Sequence, residues 1–434
     1  MEEKMKKKLL VITVFAVILV FSFTLLVYAG KKEVKEEKPT IIFWQIEKGV
    51  GFAGWCQEVI DDINANENFR VEMVEQPIGE VFNLITSAAV SQSGFDFLYE
   101  WAGEGNVIMR GKAGTYRPIN DLIPASVLAN INPVTIQACT DSEGNLWGLP
   151  FLNDLKYLAY NKRMIKEAGI DVSKMTNSWK DFTYMCEKVK QADMVPITWA
   201  NKEGYGCEIW CLNNMYQYFD ETQELIDFFV KGENFNDPRL KNAADKYKYL
   251  YKKGYLWPGG ETADYASHYF PMFSSEKAAF IWMMNSKWYT VVRQGEIAED
   301  NVGYMKIPLF GNARLANVMP TLDYVFAMSK WTKYPEETAK ALSYFVNEKW
   351  MKRLFTGYNQ TVAYRGLKVE DTSELTIPQK MFLEQKELTI IGYEAVKDTA
   401  MQYETFNRGL TQYSKDEITF EEFAQQLYEV THQD

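Results

Sequence analysis

The chain has 434 residues, 47% of them hydrophobic and 24% charged, with 15% aromatic that include 12 Trp and 26 Tyr. This composition excludes a disordered chain, and the length suggests two domains rather than one core. The net charge is −11 and no cluster of Lys and Arg lies beyond the first residues, so nucleic acid is not an expected partner.

Lys4, Lys6, Lys7 and Lys8 precede an uncharged, mostly apolar run over residues 9–27. A basic start, an apolar stretch and then small residues make an export signal over residues 1–29, with Val27-Tyr28-Ala29 as its cleavage site. The run is also long enough to cross a bilayer, so an uncleaved anchor is the alternative. Residues 30–39 are dense in charge and read as a solvated tether. Thr40-Ile41-Ile42-Phe43-Trp44 is a β-prone run suited to a strand buried on both faces. Cys56, Val59, Ile60 and Ile63 then fall at helical spacing. Arg70 to Val74 predicts a second strand, Val81, Leu84, Ile85 and Ala88 a second helix, and Phe95 to Tyr99 a third strand. This alternation is the signature of an α/β layer with a mainly parallel sheet.

Further on, Gly144-Asn145 supplies a turn, and Leu155 to Tyr160 reads as an apolar strand that crosses between lobes. Asn161 is placed to cap the next helix and Gly169 to end it. Ser178-Trp179-Lys180-Asp181 is a capping-box pattern in its Asp form, with Phe182, Met185, Cys186 and Val189 striping the helix behind it. Residues 240–256 and 336–353 predict further amphipathic helices. Cys56, Cys139, Cys186, Cys207 and Cys211 are odd in number and irregular in spacing, which is a poor disulfide framework and suggests buried thiols. With His268 and His432 the only histidines, neither a zinc site nor any other cofactor is expected.

Several of these segments carry a resemblance. The opening Ile41-Ile42-Phe43-Trp44, Gly94-Phe95-Asp96 and the run Gly144 to Pro150 (GNLWGLP) come first. Tyr160-Asn161-Lys162 with Glu167-Ala168-Gly169-Ile170, Ser178 to Phe182 (SWKDF), Phe273 to Trp288 (FSSEKAAFIWMMNSKW) and Met305 to Gly311 follow in order. Together they resemble the family 1 extracellular solute-binding proteins of bacterial ABC importers. The resemblance implies an α/β, two-lobed periplasmic-binding-protein-like fold of type II, with discontinuous lobes joined by a hinge and ligand in the cleft. The expected lobes are 40–152 with about 306–356, and 153–305 with about 357–434. The chain departs from the pattern in three places: no Cys precedes Cys56, Phe95 replaces the usual Pro before Asp96, and Ser286-Lys287 replaces Gly-Pro before Trp288.

A sugar asks for an aromatic platform under its C–H face and for planar polar groups around its hydroxyls. By resemblance, Trp288 matches the family's stacking Trp, Asp154 a sugar-binding carboxylate, and Glu203 with Tyr205 the Glu-x-Tyr of the second lobe. Glu47 and Lys48 stand where the family places ligand-bonding polar groups. Asn153 adjoins Asp154, Trp210 follows Tyr205, Trp101 ends the third strand, Asp323 and Tyr324 lie where the chain re-enters the first lobe, and Arg365 sits near the last crossover. The alternatives are a core Trp at 288, a hinge-loop cap at Asn153 or Asp154, and a plain surface acid at Glu203. Trp44 reads as core.

The function implied by the resemblance is capture without chemistry. An extracytoplasmic, monomeric receptor, secreted to the periplasm or the outer face of the cytoplasmic membrane, would close on a carbohydrate ligand and dock on the transmembrane permease subunits of an ABC importer. The rivals are a receptor for a peptide, polyamine or metal complex, and a glycoside-acting enzyme. The lack of His argues against a metal complex, and no pair of acids forms a recognisable catalytic motif.

Overall fold

The computed structural model describes residues 38–46, 52–77 and 80–433. The leader, most of the tether, and Glu47 and Lys48 lie outside the described residues. The compact unit is residues 41–434. No helix among the described residues is long and apolar enough to cross a membrane.

The strands form one hydrogen-bonded path in the order β2 (Arg70–Glu75), β1 (Thr40–Gln45), β3 (Phe97–Trp101), β8 (Met319–Met328), β4 (Leu149–Asn161), β6 (Ala278–Met284) and β5 (Val195–Ile197), with β7 (Val302–Met305) against β4 and β9 (Leu388–Ile390) against β8. Strand β1 (Thr40–Gln45) leads into helix α1 (Ala53–Asn66), whose buried Cys56, Val59, Ile60 and Ile63 are the stripe expected from spacing, joined by Trp55. Strand β2 (Arg70–Glu75) and helix α2 (Val81–Ser91) follow, then β3 (Phe97–Trp101), parallel to β1. The third strand begins two residues later than the sequence suggests. At Asp96 the Ile42 N–H donates to the side-chain carboxylate at 2.8 Å, while the Asp96 N–H still donates to the Ile42 carbonyl at 2.8 Å.

Strand β4 (Leu149–Asn161) is the pivot of the architecture. Its first half pairs antiparallel with β8 (Met319–Met328) from Leu149 to Leu155. Its second half pairs with β6 (Ala278–Met284) from Lys156 to Tyr160, and with β7 (Val302–Met305) from Leu158 to Asn161. One strand thus serves two sheets, and its change of partner from β8 to β6 falls at Leu155 and Lys156, within the strand expected over Leu155 to Tyr160. Strand β9 (Leu388–Ile390) adds to the first sheet beside β8, and β5 (Val195–Ile197) adds to the second beside β6.

Aromatic cores flank both sheets. Phe43 stacks on Phe97 at 4.6 Å and Phe151 on Phe326 at 4.2 Å in the first, while Phe182 stacks on Trp210 at 5.8 Å in the second. Trp44 is 8% exposed and packs on Phe95.

Helix caps follow the sequence closely. Asn161 accepts from the Met164 N–H, and Ser178 from the Asp181 N–H. Asp181 itself turns to Thr176, so only half of that capping box forms. The predicted helix over 336–353 is instead two, α3 (Pro335–Phe345) and α4 (Glu348–Tyr358). Asn347 breaks it by accepting from the Trp350 N–H and starting a fresh helix. All five cysteines are free and buried.

Candidate functional site

Alternation along the strands at the junction of the two sheets decides what faces where. On β3, Trp101 turns one way and Glu100 the other. Glu100 is buried, accepting from Tyr116 Oη at 2.6 Å and pairing with Arg110 at 3.0 Å. On β8, Leu322 and Tyr324 share Trp101's side, and Asp323 points away to Asn153 on β4, its register partner, at 2.7 Å. On β4, Asp154 and Lys156 share the face of Leu322.

These residues open onto a cavity of about 590 Å³, within the range of ligand sites. One wall is Val81 and Phe82 of α2, Trp101, Leu322 and Tyr324. The other is built by helix α5 (Tyr205–Trp210) and its sequel, with Glu203, Tyr205, Glu208 and Asn213, then Asp264, Tyr265 and Phe270, and Trp282, Met284, Lys287 and Thr290 around β6. Ile391 and Tyr393 close one side.

Two glycines make the close approaches possible. Gly103 has φ +105, and a Cβ there would sit 2.3 Å from the Glu394 carbonyl oxygen; its absence lets the segment bearing Tyr393 press in. Gly204 has φ +86 and starts α5 where any side chain would strike Asn407 at 2.6 Å.

Glu208 is the buried carboxylate of the polar wall. It accepts from Tyr403 Oη at 2.6 Å and from Asn213 Nδ2 at 2.9 Å, and Asn213 Oδ1 in turn accepts from the Tyr393 N–H. Burial raises its pKa, against these two bonds and the attraction of Lys156. Burial likewise pushes the Tyr205 phenol up to about 12, with the charges of Glu208, Glu203 and Asp264 adding to it. Tyr205 and Tyr265 stand 4.7 Å apart, ring to ring, and Glu203 accepts from the Tyr265 N–H at 3.1 Å. Lys156 is buried and pairs with Asp154 at 2.9 Å; burial lowers its pKa and the Asp154 charge opposes that.

The structure brings Trp101, Glu203, Tyr205 and Tyr324 together around the cavity and places the other described candidates elsewhere. Asp154 is buried, its oxygens taken up by the Ser286 N–H and Oγ, both at 2.7 Å, and by Lys156. The Ser286 departure from the family pattern therefore supplies the hydroxyl that ties Asp154 down. Asn153 and Asp323 are bonded to each other beneath the first sheet's cavity face. Trp210 is core, stacked on Phe182. Trp288 is 1% exposed and donates to Tyr304 Oη at 2.7 Å, although its neighbours Lys287 and Thr290 reach the cavity. Arg365 is exposed and donates to the Ala129 carbonyl.

Sequence reasoning missed Lys156, Glu208, Tyr265, Trp282 and Tyr393. A signal existed for the first two, since each is a lone charge within an apolar run, Leu155 to Tyr160 and Gly206 to Cys211. A second hollow of about 480 Å³ lies among Asn132, Gln137, Glu221, Gln223 and Glu387, but its lining has no aromatic face, and Arg314 pairs with both Glu221 and Glu387. No group of described residues has the makings of a metal site.

Comparison with known proteins now decides the family. A profile of the bacterial extracellular solute-binding proteins matches residues 58–360. The chain belongs to that family. A multiple sugar-binding protein of Streptococcus mutans is 21% identical over 258 residues, 57% of this chain and 58% of the relative, so the match spans less than two thirds of that relative's length. Among solved structures, a chitin oligosaccharide binding protein superposes with a TM-score of 0.72 at 18% identity, covering 90% of this chain and 98% of its own. The maltose-bound MalE3 of T. maritima superposes at 0.70 and 15% identity, covering 90% and 98%. These likenesses establish the α/β, two-lobed fold of the solute-binding family.

Proposed function

We propose that this solute-binding protein is an extracytoplasmic receptor for a saccharide, which it captures without chemistry and delivers to the permease of an ABC importer. The observation that carries the reading is the make-up of the cavity. Rings of Trp101, Tyr324, Tyr205 and Tyr265 line it together with the polar groups of Glu203, Glu208 and Asn213. Flat apolar faces beside coplanar acceptors and donors answer the two demands of a sugar ring. The names of the relatives, which bind multiple sugars, chitin oligosaccharide and maltose, point the same way.

In this reading the lobes are 40–152 with about 306–356 and 153–305 with about 357–434, with Leu388–Ile390 reaching across to the first sheet. They close by bending near β4, and contacts to both lobes favour the closed state. Residues 1–29 direct export, as a cleaved signal or an anchor. Trp101, Glu203, Tyr205 and Tyr324 are the candidates from sequence that we assign to ligand contact, joined by Glu208, Tyr265 and Tyr393.

A thermal-shift screen of residues 31–434 against mono- and oligosaccharides tests the proposal. A ligand at about a hundredfold its Kd adds about 2.7 kcal/mol, which raises Tm by several degrees. Silence across the panel from a folded sample would move the ligand class away from sugars.

A further inference from the structure

The cavity wall contains two buried donors that the fold itself leaves short of acceptors. Lys156 on β4 stands opposite Met284 on β6, and Trp282 stands opposite Leu158. Opposed residues and alternate residues share a face of a sheet, so Lys156, Trp282 and Met284 lie on one face, and all three line the cavity. Trp282 is 1% exposed and Lys156 is fully buried. The Trp282 indole N–H has no acceptor among the described residues. Among the described residues the Lys156 ammonium meets only Asp154, as an ion pair, although an ammonium carries three donors.

A buried donor left unpaired costs about 1–3 kcal/mol. Four buried indole N–H groups are in that condition among the described residues, those of Trp199, Trp210, Trp282 and Trp350. Only Trp282 of these lines the cavity, so only there can a ligand supply what the fold does not.

We propose that Lys156 and Trp282 form a paired-donor subsite that takes the hydroxyl oxygens of one uncharged sugar unit. This rests on the saccharide reading and narrows its substrate class. The charge around the pair argues for a neutral ring. Lys156 is already matched by Asp154, and the cavity's remaining charges are Glu203, Glu208 and Asp264 against Lys287. A uronate would bring one more negative charge to a wall already rich in them. Both nitrogens are shielded from water, so the sugar reaches them when the lobes part, and the bonds then form without solvent competition.

Calorimetric titration of the whole exported region with maltotriose, xylotriose, diacetylchitobiose and trigalacturonate tests the inference, with Trp282→Phe beside the unaltered protein. At least one neutral saccharide is expected to bind, trigalacturonate is not, and W282F weakens that binding about tenfold, the worth of one hydrogen bond. Monodeoxy analogues of the saccharide that binds separate a direct contact from a packing effect. One analogue should lose about tenfold on the unaltered protein and nothing further on W282F. Equal affinity of W282F and the unaltered protein, or equal losses for every analogue on both, overturns the paired-donor subsite alone. Tighter binding of trigalacturonate overturns the neutral class. If the folded, unaltered protein binds none of the four, the saccharide reading falls and this inference falls with it.

Discussion

The two walls of the cavity are built from different chemistry. The wall from the first sheet and α2 (Val81, Phe82, Trp101, Leu322 and Tyr324) carries no charge, whereas Lys156, Glu203, Glu208, Asp264 and Lys287 all belong to the opposite wall and the strand that joins the sheets. Two carboxyl groups do lie close behind the first wall, but strand alternation turns them inward: Glu100 goes to Tyr116 and Arg110, and Asp323 to Asn153. An apolar platform facing a polar wall would suit a ligand with a C–H face and a hydroxyl edge, as proposed. The difference teaches that side-chain direction within a strand, and not the presence of charge nearby, sets the character of each wall.

The largest expected effect comes from breaking the joint between the walls. Asp154→Ala removes the acceptor of Ser286 and strands Lys156 as an unpaired buried cation, which should cost about 3–5 kcal/mol of stability in denaturant unfolding. Unchanged stability would mean that Lys156 is neutral in the folded protein and that the joint is not ionic.

Next in size is a pH dependence rooted behind the apolar wall. Burial raises Asp323 to about 6, from 3.8 for an ordinary Asp, despite the bonds from Asn153 and Thr321. The unfolded chain therefore loses this proton while the folded protein keeps it. Stability should fall as pH rises from about 4 to about 6 and level off above, by about 3 kcal/mol for this group. Burial also lifts Glu394, whose carboxylate accepts from the Asp323 N–H, well above its ordinary value, which has the same sign. Thermal melts across this range should show the slope, and Asp323→Asn should flatten its share of it.

The smallest effects compare the walls directly. Trp101→Ala takes away a platform and should weaken saccharide binding by about 2 kcal/mol, roughly thirtyfold, while Glu203→Gln at the exposed rim should change it less than threefold. Calorimetry of the two variants side by side checks this. A larger loss for Glu203→Gln would reverse the assignment of the walls.

Much of the architecture was legible in the residues. The apolar run Ile41 to Trp44, the helical stripe from Cys56 to Ile63 and the caps at Asn161 and Ser178 depend on local spacing and on side chains reaching their own backbone, so they stand in the structure as expected. The single helix over 336–353 failed because Asn347 outcompetes a continuous stripe by capping Trp350. Less of the candidate site was legible. Trp101 and Tyr324 could be placed because they end or re-enter strands, but Asp154 shares a face with Lys156 and is hidden by Ser286, which is 132 residues away in sequence.

The sequence by itself determined an aromatic-rich, acidic α/β chain with an apolar strand near Leu155 to Tyr160, because these follow from composition and short-range periodicity, and its ordered motifs carried the resemblance to the solute-binding family. Only the tertiary structure decided which polar groups meet the cavity. Contacts such as Tyr403 with Glu208, Gly103 beneath Glu394, and Trp282 diagonal to Lys156 join residues far apart in the chain. Local spacing carries no information about such pairs, since their register is set by how the sheets and helices pack.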